Sequence, residues 1–164
     1  MTDAKTTTIP TSSLDPDVAA GVAQFLSPVV VNLQALAVDG KQAHWHVRGA
    51  NFIGVHEFLD VLIDHAHAWA DLAAERIVSL GLPVDARIQT IAEKTTTPAL
   101  SDGFQQSDAT IAQVIAQIDA TLTLVRTAID ELDELDLPSQ DIAIEIANGL
   151  DKDRWFLFAH LAAK

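Results

Sequence analysis

The chain has no cysteine among its 164 residues. It can therefore form no disulfide framework and no thiolate metal site. Any metal ion that it binds must be held by carboxylate oxygens and imidazole nitrogens, which suit iron, manganese or zinc. The length and the apolar content of 49% fit one domain with a substantial core.

Basic residues are also scarce. The chain has 10 Lys and Arg against 23 Asp and Glu, which gives a formal net charge of -13. Such a charge repels nucleic acids and anionic lipid surfaces, and it attracts cations. We therefore expect a metal ion rather than a nucleic acid or a membrane as the partner.

The sequence shows no secretory signal, because its first 14 residues are rich in Thr and Ser and lack a basic region followed by an apolar run. A cytoplasmic location is the expectation. The apolar stretch 18–38 is long enough to raise the question of a membrane span, but polar residues such as Gln24 and Asn32 interrupt it. This stretch predicts a buried helix.

Four long helices are predicted from the periodicity of the apolar residues. Asp15 and Pro16 are typical of a helix start, with Asp as the N-cap and Pro at the first helical position. Gly81 and Pro83 are typical of a helix end. The first predicted helix runs from about Pro16 to His46 with a bend at Pro28, the second from the N-cap Asn51 to about Leu80, and the third from about Ser107 to Leu135. Pro138 separates the third helix from a fourth that ends near Ala163.

Four such helices without a strand pattern predict an all-α four-helix bundle. The connection 82–103 is long enough to cross the bundle, which favours a ferritin-like topology, and Asp85 to Lys94 could form a short helix within it. We expect residues 1–14 to form a flexible polar tail and residues 15–164 to form the bundle.

The second helix carries a stripe of metal-binding residue types on one face. At about 100° per residue, its six members fall within an arc of about 100°. The stripe contains no Lys or Arg, and carboxylates at this density repel one another unless a cation lies among them. A solvated polar face is the alternative, but the pattern favours a metal site. The stripe consists of His56, Asp60, Asp64, His67, Asp71 and Glu75.

One chain cannot bring the whole stripe to one metal ion. His56 with Asp60 could bind from one side and Asp71 with Glu75 from the other. Asp60 and Asp71 are eleven residues apart, which is on the order of 16 Å along a helix, whereas a ligand lies about 2 Å from its metal.

The stripe is palindromic, since the residue numbers of each symmetric pair add to 131. Two copies of the helix, packed antiparallel about a twofold axis near residue 65 or 66, would place His56 and Asp60 opposite the Glu75 and Asp71 of the mate. Two equivalent shared sites would result. In the same register, Asp64 would face the mate's His67 as a hydrogen-bonded pair.

The motifs around this stripe resemble the ferroxidase signature of the Dps family of ferritin-like proteins, and the resemblance extends over nearly the whole chain. The residues that carry it are His44-Trp45 before Arg48-Gly49, then Val55-His56-Glu57, Leu59-Asp60, Asp71 and Glu75, and the C-terminal run 150–156.

The resemblance implies a hollow shell of twelve chains that oxidises Fe(II), usually with hydrogen peroxide, and stores ferric mineral inside. His44, His56 and Asp60 of one chain would join Asp71 and Glu75 of its partner as iron ligands. Such a protein would protect the cell from Fe(II) and peroxide together.

Three further details follow from the resemblance. Glu75 is the best candidate to bridge two irons. Trp45 would lie beside the site, where it either absorbs oxidising equivalents or packs in the core. His46 stands where the family commonly has Asn, and it is interpreted as a surface residue rather than an additional outer-shell group.

Asp136, Asp141 and Glu145 have the spacing that lines acidic pores in this family, although acids also favour helix N-termini. Members that bind DNA use Lys-rich tails. In residues 1–14 the one basic residue is Lys5, and the negative charge of Asp3 balances its positive charge. We therefore expect weak or no DNA binding.

Two other functions fit the same ligand set. A metal-dependent hydrolase could use the site to activate water, although no substrate pocket or separate acid-base residue is recognisable. A non-enzymatic shell or scaffold, in which the stripe is vestigial, is the third hypothesis.

Overall fold

The computed structural model describes residues 12–161. Most of the predicted tail 1–14 and the predicted end of the last helix at Ala163 therefore lie outside the described residues. Within 12–161 the structure has five helices and two very short strands. In chain order these are α1 Pro16–His46, β1 Val47–Arg48, α2 Phe52–Ser79, α3 Ile88–Lys94, β2 Gln105–Gln106, α4 Ser107–Leu132 and α5 Leu137–Leu161.

Helix α1 begins as predicted, because the side chain of Asp15 accepts a hydrogen bond of 2.9 Å from the backbone N–H of Asp17 and Pro16 occupies the first turn. The helix continues through Pro28 to His46. Its composition would allow a membrane span, but a little over half of its most apolar window is buried inside the bundle. That burial against α2 and α4 accounts for its apolar character.

The core lies between α1, α2, α4 and α5, which form the all-α four-helix bundle that the sequence predicts. Each helix contributes one apolar stripe at helical spacing, and the largest side chains of these stripes are fully buried. They include Leu26, Leu33 and Leu36 of α1, Leu59, Leu62 and Ile77 of α2, Ile111, Ile118 and Leu122 of α4, and Ile146 and Leu150 of α5.

The segment between α2 and α4 runs the length of the bundle. It leaves α2 at Leu80 and Leu82, beside the start of α1, and ends at β2, which pairs in parallel with β1 at the end of α1. The buried Asn32 in the middle of α1 anchors this crossover segment, because its side-chain amide forms hydrogen bonds with Thr95 and Thr96. The crossover and the short helix α3 confirm the predicted topology.

Several predicted details differ from the structure. Helix α4 ends at Leu132 rather than Leu135, because Asp136 caps α5 by accepting a hydrogen bond from the backbone N–H of Ser139, and the intervening residues form the turn. Asn51 occupies the N-cap position of α2 in the left-handed conformation, with φ 57°, and its side chain caps no N–H of the described chain. The pairing of β1 with β2 was not predicted, because two residues are too few to show a strand pattern.

Candidate metal centre

A tight turn brings His44 and His56 together. Helix α1 ends two residues after His44, and the backbone reverses through Gly49, with φ 96°, and Asn51 before α2 begins. Gly49 suits this turn because L side chains rarely adopt that conformation. His44 thus lies on the last turn of α1 and His56 on the second turn of α2, with their rings stacked at a centroid distance of 3.7 Å.

The two histidines orient each other by a reciprocal exchange of hydrogen bonds. The Nδ1 of His44 lies 2.8 Å from the carbonyl oxygen of His56, and the Nδ1 of His56 lies 2.9 Å from the carbonyl oxygen of His44. A carbonyl oxygen can only accept, so each Nδ1 carries the hydrogen and donates it. In the neutral form of each ring, Nε2 is then the nitrogen with the lone pair that a metal ion can bind.

Asp60 completes this half of the site. Its Oδ1 lies 3.3 Å from the Nδ1 of His44 and 2.5 Å from the Nζ of Lys41 on α1. The hydrogen bond from Lys41 holds the pKa of Asp60 below its ordinary value, and nearby His44 and His56 act in the same direction against desolvation. Asp60 is therefore a carboxylate at neutral pH, ready to bind a cation.

Sequence reasoning missed Lys41. The stripe on α2 lacks a basic residue, but α1 provides one from outside the stripe. Lys41 precedes His44 by three residues, so both lie on the same side of α1. Once His44 is taken as a candidate ligand, this three-residue spacing predicts that Lys41 lies close to the site.

Asp71 and Glu75 form a separate pair. Both are exposed on α2, one turn apart, and they lie further along the same helix face. Within residues 12–161 of one chain, no group of three or more His, Asp or Glu side chains is placed to hold a metal ion. The structure places His44 next to His56 and next to Asp60 without arranging the three as a complete metal site in one chain, and it leaves Asp71 and Glu75 apart from them.

An open groove of about 770 Å³ lies between α1 and α2 beside Asp60. Trp45 lines it with 62% of its surface exposed, so Trp45 is not packed in the core of the described chain. Asp64 and His67 line the same groove. The groove combines acidic, imidazole and apolar groups, which is a composition that could receive a second helix.

His46 is half-buried, and its contacts are with Gln42 and Phe104. Its ring lies 5.3 Å from that of Phe104, and its Nδ1 lies 2.9 Å from the Nε2 of Gln42. Its contacts are therefore separate from the stacked pair His44 and His56, and it is not a fully exposed surface residue.

The three predicted pore acids lie in two different environments. Asp136 accepts hydrogen bonds from Arg76 at 2.7 Å and from the hydroxyl of Ser139 at 2.5 Å. Burial by itself would raise the pKa of Asp136, but the bonds from Ser139 and Arg76 hold it below its ordinary value. Asp136 is therefore engaged within its own chain, whereas Asp141 and Glu145 are exposed.

A second unpredicted contact joins α2 to α5. The Nδ1 of His65 lies 2.9 Å from the Oδ2 of Asp153, which is only 1% exposed. Burial raises the pKa of Asp153, although the hydrogen bond from His65 opposes this. His65 is adjacent to the stripe in sequence, but the helix turns its side chain towards α5 and away from the groove.

Comparison with known proteins gives a consistent result. A family model described as the ferritin-like domain matches residues 25–163. The DNA protection during starvation protein of Mycolicibacterium smegmatis is 34% identical over 143 residues, which cover 87% of this chain and 78% of that protein. The protein with the same description from Agrobacterium fabrum is 30% identical over 154 residues, covering 93% and 95%.

A solved structure, that of Dps from Microbacterium arborescens in the high iron form, superposes with a TM-score of 0.90 at 59% identity. The similarity covers 93% of this chain and 99% of that one. The family model alone spans most of the sequence, and the two relatives and the solved structure named above are described as Dps or DNA protection during starvation proteins. The chain therefore belongs to the ferritin-like proteins and, within them, to the Dps family.

Proposed function

We propose that the protein is a ferroxidase and iron-storage protein, in which Fe(II) is oxidised at a site shared by two copies. The observation that carries the proposal is the stacked pair His44 and His56. Their exchanged hydrogen bonds engage both Nδ1 atoms and leave both Nε2 atoms for metal binding, and the ionised Asp60 lies 3.3 Å from the Nδ1 of His44. Asp71 and Glu75 of a second copy supply the remaining ligands in the antiparallel register.

The chemistry needs ligands that hold Fe(II) and leave open positions for an oxidant. Imidazole and carboxylate groups meet this requirement. Two Fe(II) ions each lose one electron, and one hydrogen peroxide takes up both electrons and two protons as its O–O bond breaks to give two water molecules. Glu75 would be the carboxylate that bridges the two irons. Trp45, exposed beside Asp60, is positioned to absorb stray oxidising equivalents.

We further propose that twelve chains, assembled from such twofold dimers, enclose the ferric mineral and so protect the cell from Fe(II) and peroxide. The resemblance to Dps proteins supports this assembly, and the structure of the Microbacterium arborescens relative was described in a high iron form. The cytoplasmic location expected from the sequence belongs to the same proposal.

The test is Fe(II) oxidation by peroxide in the wild type and in the variants His44→Ala and Glu75→Ala. Loss of a ligand from either half should slow oxidation by at least about tenfold. Glu57→Gln is the matched control, because Glu57 is an exposed acid beside His56 that the proposal does not use as a ligand. Equal rates in the wild type and in both Ala variants would refute the proposal.

DNA binding is expected to be weak, although relatives are described as protecting DNA. The net charge of -13 opposes phosphate contacts, which dominate non-specific affinity. A gel shift at about 0.15 M salt, without bridging metal ions, should show no tight complex. A salt-resistant complex under these conditions would contradict this expectation.

A further inference from the structure

Asp64 and His67 have no role in the proposed ferroxidase site. Both are exposed at the centre of α2, and both line the groove between α1 and α2. The part of the chain that the structure describes gathers no set of three metal-binding side chains around them. A site at this position would therefore need a second copy of the chain, and the inference rests on the two-chain arrangement of the proposed function.

The helix itself provides independent support for that arrangement. Helix α2 spans Phe52–Ser79, so the centre of the stripe lies close to the middle of the helix. Two helices that pair about the centre of the stripe would overlap from end to end.

Two exposed apolar residues share the same centre. Ile53 and Val78 are 59% and 57% exposed, their numbers also add to 131, and they lie at the two ends of the stripe on the same helix face. In the antiparallel register, Ile53 of one copy would cover Val78 of the other. A surface that matches itself in this way is what a twofold interface requires, so a second copy of the chain is the occupant that the face fits.

This register brings four side chains to the twofold axis. Asp64 and His67 each lie one and a half residues from the centre, which is about 2 Å along the helix. They point about 30° to either side of the midline of the stripe. With paired helices about 8 to 10 Å apart, two carboxylates and two imidazoles converge on one point.

The charges at this interface favour a cation. Each copy contributes Asp60, Asp64, Asp71 and Glu75, so eight carboxylates face one another, and Lys41 is already paired with Asp60. Two oxygens and two imidazole nitrogens form a ligand set that suits tetrahedral zinc. All four positions would be filled by protein, which is typical of a structural rather than a catalytic metal site.

We propose that Asp64 and His67 of two copies form an additional divalent-metal site on the twofold axis, distinct from the two ferroxidase sites, and that zinc bound there strengthens the dimer. The site would hold one ion per two chains.

The experiment uses Co(II) as a spectroscopic substitute for zinc in the full-length assembled protein. The background variant is Asp71→Asn with Glu75→Gln, which disables the two shared ferroxidase sites. In this background we expect one Co(II) per two chains, with the intense visible absorption of tetrahedral cobalt. Adding either Asp64→Asn or His67→Gln should abolish that absorption, and Zn(II) should displace the Co(II).

The matched control is Asp130→Asn, which removes an exposed acid from α4 in the same background and should leave Co(II) binding unchanged. Circular dichroism and the assembled mass establish that each variant folds. Absence of tetrahedral Co(II) in the background protein would overturn the proposal, since Asp64 and His67 would then form only hydrogen-bonded pairs. Co(II) binding that persists in both added variants would overturn it as well.

Failure of this site is distinguishable from failure of the proposed function. If the axial site does not exist but the ferroxidase site does, Glu75→Ala will still slow Fe(II) oxidation, whereas His67→Gln will not change Co(II) binding. If the ferroxidase site is wrong, Fe(II) oxidation will be insensitive to Glu75, whatever the cobalt spectrum shows.

Discussion

At the scale of single residues, the site owes its geometry to bonds between side chains and backbone. Because each of His44 and His56 donates to the carbonyl oxygen of the other, neither ring can rotate freely when metal is absent. Such preorganisation reduces the entropy that ordering the ligands would otherwise cost on metal binding.

Lys41 gives a prediction at this scale. The ammonium group of Lys41 is bonded to the Oδ1 of Asp60 and repels a cation that approaches this carboxylate, so Lys41 opposes metal binding. We expect Lys41→Met to strengthen Co(II) binding at the shared site by up to about fivefold, which is what an exposed ion pair contributes. Lys41→Arg keeps the charge and is the control. Equal affinities of the Met and Arg variants, measured by titration calorimetry, would contradict this role of Lys41.

At the scale of secondary-structure elements, the seam between α2 and α5 holds the ligand-bearing helix in place. Arg76 hydrogen-bonds to Asp136 and Ser139 at one end of this seam, and His65 bonds to Asp153 nearer the middle. Trp69 packs beside Gly149 between these contacts. The groove face of α2 is thereby left free for ligands.

Gly149 is predicted to stabilise this packing. A Cβ atom at Gly149 would collide with the indole ring of Trp69. Gly→Ala within a helix ordinarily stabilises by about 1 kcal/mol, but overpacking costs about 1 to 3 kcal/mol. We therefore expect Gly149→Ala to lower the free energy of unfolding in urea.

Gly54→Ala is the control, because a Cβ at Gly54 would meet only ordinary van der Waals contact with His160. This variant should be as stable as the wild type or more stable. Equal stability of the two variants would show that Trp69 can move aside.

The contact between the half-exposed His65 and the buried Asp153 predicts a pH dependence. Because burial raises the pKa of Asp153 in the folded protein, ionisation of this group costs the folded state free energy. Its contribution to stability is complete below the ordinary pKa of 3.8 and is lost as the pH rises through the raised value. As the pH rises from below 3.8 through the raised pKa of Asp153, the wild type should therefore lose stability relative to Asp153→Asn.

Urea unfolding at fixed protein concentration and several pH values measures this difference. Asp151→Asn removes a charge from an exposed position two residues away and is the control. If the stability difference between the wild type and Asp153→Asn is the same at every pH, the burial of the Asp153 carboxylate does not affect folding.

At the scale of the whole molecule, iron must reach the interior of the proposed shell. Asp136 is committed to Arg76 and to the start of α5, so Asp141 and Glu145 are the acids left to line a pore. Exposed acids at a constriction attract Fe(II) and raise its local concentration.

Neutralising Asp141 and Glu145 together, as Asp141→Asn with Glu145→Gln, should slow iron uptake by about tenfold at low ionic strength. Metal binding at the dimer site should be unchanged. Asp130→Asn with Glu131→Gln removes the same charge from exposed positions on α4 and should leave uptake unaffected. Stopped-flow absorbance measures uptake, and unchanged kinetics in the first variant would contradict a pore role. The mass of the assembly separately tests the twelve-chain shell.

Across these scales, the sequence by itself determined the helices, the crossover and the acidic stripe. Each depends on local periodicity, since apolar or acidic residues every three or four positions fix which face of a helix they occupy. The same local geometry established that Asp60 and Asp71 are too far apart to serve one metal ion within a chain.

Only the tertiary structure decided which groups from other helices contact the residues of α2. Lys41 forms an ion pair with Asp60 because α1 and α2 pack as an antiparallel pair. Asp153 contacts His65 because α5 packs against the other side of α2. Asp136 became a helix cap rather than a free acid because Arg76 approaches it from α2. These contacts join residues far apart in sequence, so they depend on how the helices pack and leave no periodic signal in the chain.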